Sequence, residues 1–140
     1  MPSPRMLPDT VNLFNYVGEV NDIATYQKAI IRKCYCVIRD SSSADRNGNG
    51  TVPNTRSTLY IFDRCSIVTD DSGNTLTYIP YEDFDTLANK SGYWTLRDGP
   101  TRDYFIKVGK SAEPRENPVI GFSHLTGGTP RMQHFKVEGA

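Results

Sequence analysis

The chain has 140 residues, enough for one domain whose core needs neither metal nor disulfide to hold it together. Its 16 basic residues balance 16 acidic ones, for a formal net charge of zero and an isoelectric point near 6.7, which argues against a nucleic-acid binder held by backbone electrostatics. Mean hydropathy is -0.51, and no apolar run approaches the roughly 18 residues that a membrane-crossing helix needs, so a soluble protein with no membrane partner is expected.

Met1-Pro-Ser-Pro-Arg-Met-Leu-Pro carries three prolines in eight residues and no secretory apolar stretch. Residues 1–9 are read as a flexible N-terminal arm, synthesis as cytoplasmic, and residues 10–140 as a single β-barrel domain. Thr10 to Tyr16 reads as the first strand, with Val11 and Leu13 on one side and Phe14 and Tyr16 on the other. Val17 to Asp22 is turn-like. Tyr26 to Arg39 is rich in Ile, Tyr, Val and Cys but shows no stripe at helical spacing, so it reads as a long second strand.

From Asp40 to Asn54 the composition turns to Ser, Asn, Gly, Asp and Thr, with almost nothing to bury. This predicts a long mobile loop, 40–56 at its widest. Loops of more than about 12 residues are uncommon in compact domains and are often functional. Ser57 to Asp63 reads as the third strand. Cys65–Thr69 and Thr75–Ile79 read as a hairpin around Asp70-Asp-Ser-Gly-Asn74. Pro80 to Asn89 is the one helix candidate, with Pro at its start and acids in its first turn. Two further hairpins are expected, Tyr93–Leu96 with Tyr104–Val108 across Arg97-Asp-Gly-Pro100, and Val119–Leu125 with Met132–Glu138 across Thr126–Pro130. The fold class that follows is mainly β: a small antiparallel β-barrel or sandwich with one short helix and a long mobile loop.

Residues able to carry chemistry are sparse. Cys34 and Cys36 fall on the same side of a strand, but with Cys65, His124 and His134 they match no usual zinc spacing, and reduced thiols packed in a core are expected. Asp45-Arg-Asn-Gly-Asn-Gly50 matches the first half of a calcium loop, yet Arg56 stands where a bidentate Glu is required. His124 and His134 sit on the two arms of the last hairpin and could face each other, with no nucleophile or orienting carboxylate placed beside them by sequence. Glu82, Asp83 and Asp85 read as solvated acids at a helix start. No P-loop, G-x-G-x-x-G or G-x-S-x-G occurs. Asn89-Lys-Ser91 is a glycosylation triplet without an export route. No catalytic residue, metal site or cofactor is expected.

Leu7-Pro-Asp-Thr-Val11, the strand end Cys34-Tyr-Cys-Val-Ile38, Tyr60-Ile-Phe-Asp63, Gly92-Tyr-Trp-Thr-Leu96 and Asp103-Tyr-Phe-Ile-Lys107, in this order, resemble the head-closure proteins of long-tailed bacteriophages. These are also called stoppers or head-tail joining proteins, and the likeness is greatest to the short minor capsid proteins of phages of Gram-positive bacteria. The resemblance implies a virion neck protein, made in the host cytoplasm, that forms a homo-oligomeric ring below the portal and adaptor. Such a ring receives the tail terminator or tail tube, closes the DNA-filled head, and touches packaged double-stranded DNA transiently. It also implies that the loop after the second strand projects into the channel, which makes Asp45, Arg46, Asn47, Gly48, Asn49 and Gly50 the candidate channel loop.

Two readings compete. Another neck component, an adaptor or a tail terminator, would show more helix or more αβ alternation. A β-barrel binding oligonucleotides or carbohydrate would use Tyr93, Trp94, Tyr104 and Phe105 as a stacking surface, although strand alternation buries about half of such residues.

Overall fold

The computed structural model describes residues 7–44, 51–98, 102–109, 116–127 and 133–140; the side chains of 39–44 and 51–55 are not described. In chain order the elements are β1 (Asp9–Val20), β2 (Ile23–Ala44), β3 (Thr51–Phe62), β4 (Ile67–Thr69), β5 (Thr77–Tyr78), α1 (Tyr81–Thr86), β6 (Tyr93–Trp94), β7 (Tyr104–Val108), β8 (Asn117–Leu125) and β9 (His134–Gly139). The expected mainly β architecture is present. The pairings run β1-β7-β8-β9-β3-β2 and return from β2 to β1, with β4 added on β2. Hydrogen bonding thus closes into a ring without a strict barrel, the β7–β8 seam being only Tyr104↔Pro118 and Phe105↔Asn117.

The ring closes around alternating side chains. Val11 and Leu13 of β1 oppose Ile31 and Ala29 of β2, Leu13 also opposes Phe105 of β7, and Leu59 and Ile61 of β3 oppose Val137 and Phe135 of β9. All of these are buried, and burial of about 1.5–3 kcal/mol per large apolar side chain is what fixes the register.

One residue lets a single strand serve two parts of the ring. Along β2 the inward residues are Ala29 and Ile31, then Cys34 and Cys36, so the inward parity switches from odd to even at Lys33. Lys33 has φ 56, and the β1 register jumps across it, from Arg32↔Thr10 to Cys34↔Asp9. This bulge ends the pairing with β1 and turns the rest of β2 toward β3.

The segment from β4 to β6 packs over the inward side of the ring at the β1–β2 end. Two inward polar residues hold it by its backbone. Asn15 Nδ2 donates to the Thr95 carbonyl while Asn15 Oδ1 accepts from Thr95 N, and Gln27 Nε2 donates to the carbonyls of Lys90 and Tyr93. Leu76, Trp94 and Leu96 join the core.

Several expectations need correction. Val17–Val20 belongs to β1, and the turn is the two residues Asn21 and Asp22, both at positive φ (53 and 62) as a type I′ hairpin requires. Residues 7–9 belong to the body and not to an arm, since Leu7 is buried and the Asp9 carboxylate accepts from Cys36 N; residues 1–6 lie outside the described residues. Tyr93–Leu96 forms no hairpin with Tyr104–Val108: β6 pairs β5 in parallel, and β7 pairs β1 and β8. The helix is shorter than its sequence pattern, ending at Thr86. The β8–β9 hairpin is as expected, whereas of the hairpin expected from Cys65–Thr69 and Thr75–Ile79 only the turn at Asp70 and the bridge Thr69↔Thr75 form, since β4 pairs β2 and β5 pairs β6.

Candidate functional site

The segment read as a loop is largely a β-ribbon. β3 pairs β9 only as far as Ser57↔Gly139, yet β2 and β3 continue to pair with each other from Arg39↔Arg56 through to Ala44↔Thr51. At about 3.4 Å per residue these six pairs extend roughly 20 Å beyond the closed ring. Loop bounds of 40–56 therefore have to be narrowed, because 40–44 and 51–56 are strand. The candidate channel residues Asp45 to Gly50 lie outside the described residues, between two chain ends that the Ala44↔Thr51 pair holds side by side. Arg56, at the calcium-loop position that needs a carboxylate, sits in β3 opposite Arg39.

A second projection leaves the other end of β2. Beyond Phe14, the last β1 residue paired with β7, β1 and β2 pair only with each other, up to Val20↔Ile23. Both tip residues are exposed, at 59 % and 69 %. At the base of this hairpin Arg102 stacks on Tyr16 and pairs with Glu19 at 2.8 Å, holding the Glu19 carboxyl below its ordinary value. Behind it the buried Asp103 accepts from Tyr16 N at 2.8 Å and from Asn15 Nδ2, and faces Arg97 at 3.6 Å. Burial pushes the Asp103 carboxyl up despite these donors. Arg97 lies over the Tyr81 ring, and its Nε is buried without a hydrogen-bond partner among the described residues.

Nothing among known families, curated proteins or solved structures matches the chain. Its function rests on the geometry of its surfaces and on the motif resemblance.

The residues singled out for chemistry separate rather than converge. Cys34 and Cys36 face the core, where burial pushes their thiols up to about 12 and about 11. A thiolate is therefore suppressed at both positions. Cys65 is partly exposed in the turn after β3. His124 and His134 do not face each other: His124 is opposite Phe135 and His134 opposite Leu125, which puts the two imidazoles on opposite faces of the hairpin. His124 stacks flat on Phe135 (centroids 3.9 Å apart, 8° between planes), and its Nε2 lies 2.8 Å from Asp63 Oδ2. Sequence had placed no carboxylate there. No hydroxyl or thiol is hydrogen-bonded to His124 among the described residues. Glu82, Asp83 and Asp85 are exposed on α1, as expected of solvated acids, and among the described residues no cluster could hold a metal ion.

Of the four aromatics offered as a stacking platform, Trp94 and Phe105 are buried. Tyr93 and Tyr104 are partly buried, and Tyr104 belongs to a partly buried aromatic group on the outer face. Phe14, Tyr16, Tyr26 and Tyr104 stack edge and face on the outer side of β1, β2 and β7, with Phe14 and Tyr104 at 4.7 Å. The alternation of β1 already put Phe14 and Tyr16 on the outer face, but Tyr26 and Tyr104 join them only through the strand register.

Proposed function

We propose that this protein is a structural neck component of a tailed-phage virion, forming a ring that closes the DNA-filled head below the portal and adaptor and joins it to the tail. The observation that carries the reading is the β2–β3 ribbon, which leaves the closed ring by roughly 20 Å after the strand where the resembling family has its channel loop. A two-stranded ribbon is marginal alone in water, so one of this length suits a protein whose neighbours cover it. The ribbon edges and the exposed Val20–Ile23 tip give the subunit separate contact surfaces at the two ends of β2, as head-to-tail packing in a ring requires. Zero net charge suits a channel that must let DNA pass.

The motifs of the resemblance fall on the body of the fold, with Leu7, Val11, Ile61, Trp94, Leu96 and Phe105 all buried. They support a shared fold, and the ribbon supports the shared role. Its partners in this reading are further copies of itself, the portal or adaptor ring, the tail terminator or tube, and DNA in passing. No catalytic step belongs to it. An adaptor or tail-terminator position is less well supported, because the single helix among the described residues is six residues long. The binding-module reading is less well supported, because two of its four platform aromatics, Trp94 and Phe105, are buried.

The test of the channel role uses DNA-filled heads of the encoding phage that lack a neck. Adding the full chain is expected to protect the packaged DNA from nuclease. A variant with residues 41–54 replaced by a two-residue Asn-Gly turn is expected to bind the heads but protect their DNA less. Equal protection by both proteins would remove the ribbon from the closure role.

A further inference from the structure

A cleft of about 480 Å³ opens beside His124, away from the ribbon and the hairpin tip. Its size is that of a site for a whole small molecule, for which pockets run from about 300 to 1,000 Å³. Buried Ile61, Val68 and Leu76 form an aliphatic floor. An aromatic wall completes the lining, the rings of Tyr78, Trp94 and Phe135 packing at centroid distances of 4.6 to 5.6 Å.

At the mouth stands the carboxylate of Asp63. His124 Nε2 binds its Oδ2, and Oδ1 has no hydrogen bond among the described residues. Among the described residues no Lys or Arg lines the cleft. Apolar lining and one carboxylate select together: hydrocarbon gains from the aliphatic and aromatic lining, a positive head gains from Asp63, and an anion is repelled by it.

We infer that this cleft binds a small organic cation, a free primary ammonium carried on an apolar alkyl body. The body lies between the aliphatic floor and the aromatic wall, and the ammonium donates to Asp63 at the mouth. The site is independent of the neck reading and stands or falls separately.

Trp94 is the single tryptophan of the chain, so its emission reports this cleft alone. The full chain is titrated with hexylammonium, with 1-hexanol as the uncharged counterpart, and with a doubly capped lysine amide. Hexylammonium is expected to change the emission saturably and to bind about tenfold tighter than 1-hexanol, the difference expected of one charge-assisted hydrogen bond. Asp63→Asn is expected to bring hexylammonium to the level of hexanol while leaving hexanol unchanged. Ile67→Lys, at an exposed residue on the cleft wall, sets a competing ammonium there and is expected to weaken hexylammonium about threefold by like-charge repulsion; it keeps the test standing should the Asn variant fail to fold. The absence of a saturable signal, or hexanol binding as tightly as hexylammonium, overturns the inference. Tighter binding of the capped lysine overturns the free amine in favour of a partner's side chain.

Discussion

Lys33 shows how much one residue decides in this fold, and how little of that is visible in its type. A lysine with an exposed side chain inside a β-rich run reads as one more solvent-facing position, yet at φ 56 it shifts the inward parity of β2 and sends Cys34 and Cys36 into the core. The cysteines themselves were legible as buried thiols, because free cysteine packs as a small hydrophobe. With burial raising them to about 12 and about 11, neither is expected to react with a thiol reagent at pH 8 while the chain is folded. Native modification should therefore stop at Cys65 and reach all three thiols only in denaturant, and rapid native labelling of Cys34 or Cys36 would contradict the packing. Asp70 makes a second residue-scale case. Its Oδ1 accepts from the backbone N–H of Asn74 and Ser72, both at 2.9 Å, and the Asn74 bond first among these holds the carboxyl below its ordinary value. A depressed value in the folded state means that the stabilisation is complete above the unfolded-chain value near 3.8 and is lost as pH falls through the folded one. Asp70→Ala is expected to lower the denaturant midpoint at pH 7 and to match the parent near pH 2; a gap that stays constant with pH would assign the effect to something other than the carboxylate.

At the scale of elements, strands with one face on the core were readable, and strands without one were not. Val11 and Leu13 against Phe14 and Tyr16 announce β1 by alternation, and Leu59 and Ile61 announce β3, because each pattern answers to a buried face. Asp40–Ala44 and Thr51–Thr55 pair as regularly as any other strand here, but they leave the ring. Their serines and threonines show no apolar alternation, so in sequence they resemble a loop. The parallel β5–β6 contact and the capping of the ring by the α1 segment were illegible for another reason: they are held by Asn15 and Gln27 across 80 and 63 residues of chain, and no local pattern encodes that. The corner at Lys33 gives the element-scale prediction. A β-branched residue is poorly tolerated at positive φ, so Lys33→Val is expected to cost about 1–2 kcal/mol by chemical denaturation, whereas Lys33→Gly costs little. Equal stability of the Val variant and the parent would mean that the bulge is not held at that residue.

For the whole molecule, β2 is the organising strand. It closes the ring with β1 and β3, and each of its ends leaves the ring as a two-stranded projection, apolar at the Val20–Ile23 tip and polar in composition along the ribbon. In the neck reading these projections are the surfaces that neighbouring copies in a ring would cover. The cleft at His124 was out of reach of sequence reasoning, as Asp63, Tyr78, Trp94 and Phe135 come from four separate elements or turns. The measurement that bears most directly on the neck assignment is imaging of DNA-filled, neckless heads after mixing with the purified chain. A ring of added density is expected at one vertex of each head, that of the portal, and heads that carry no added density beside a chain that stays monomeric would contradict the neck proposal.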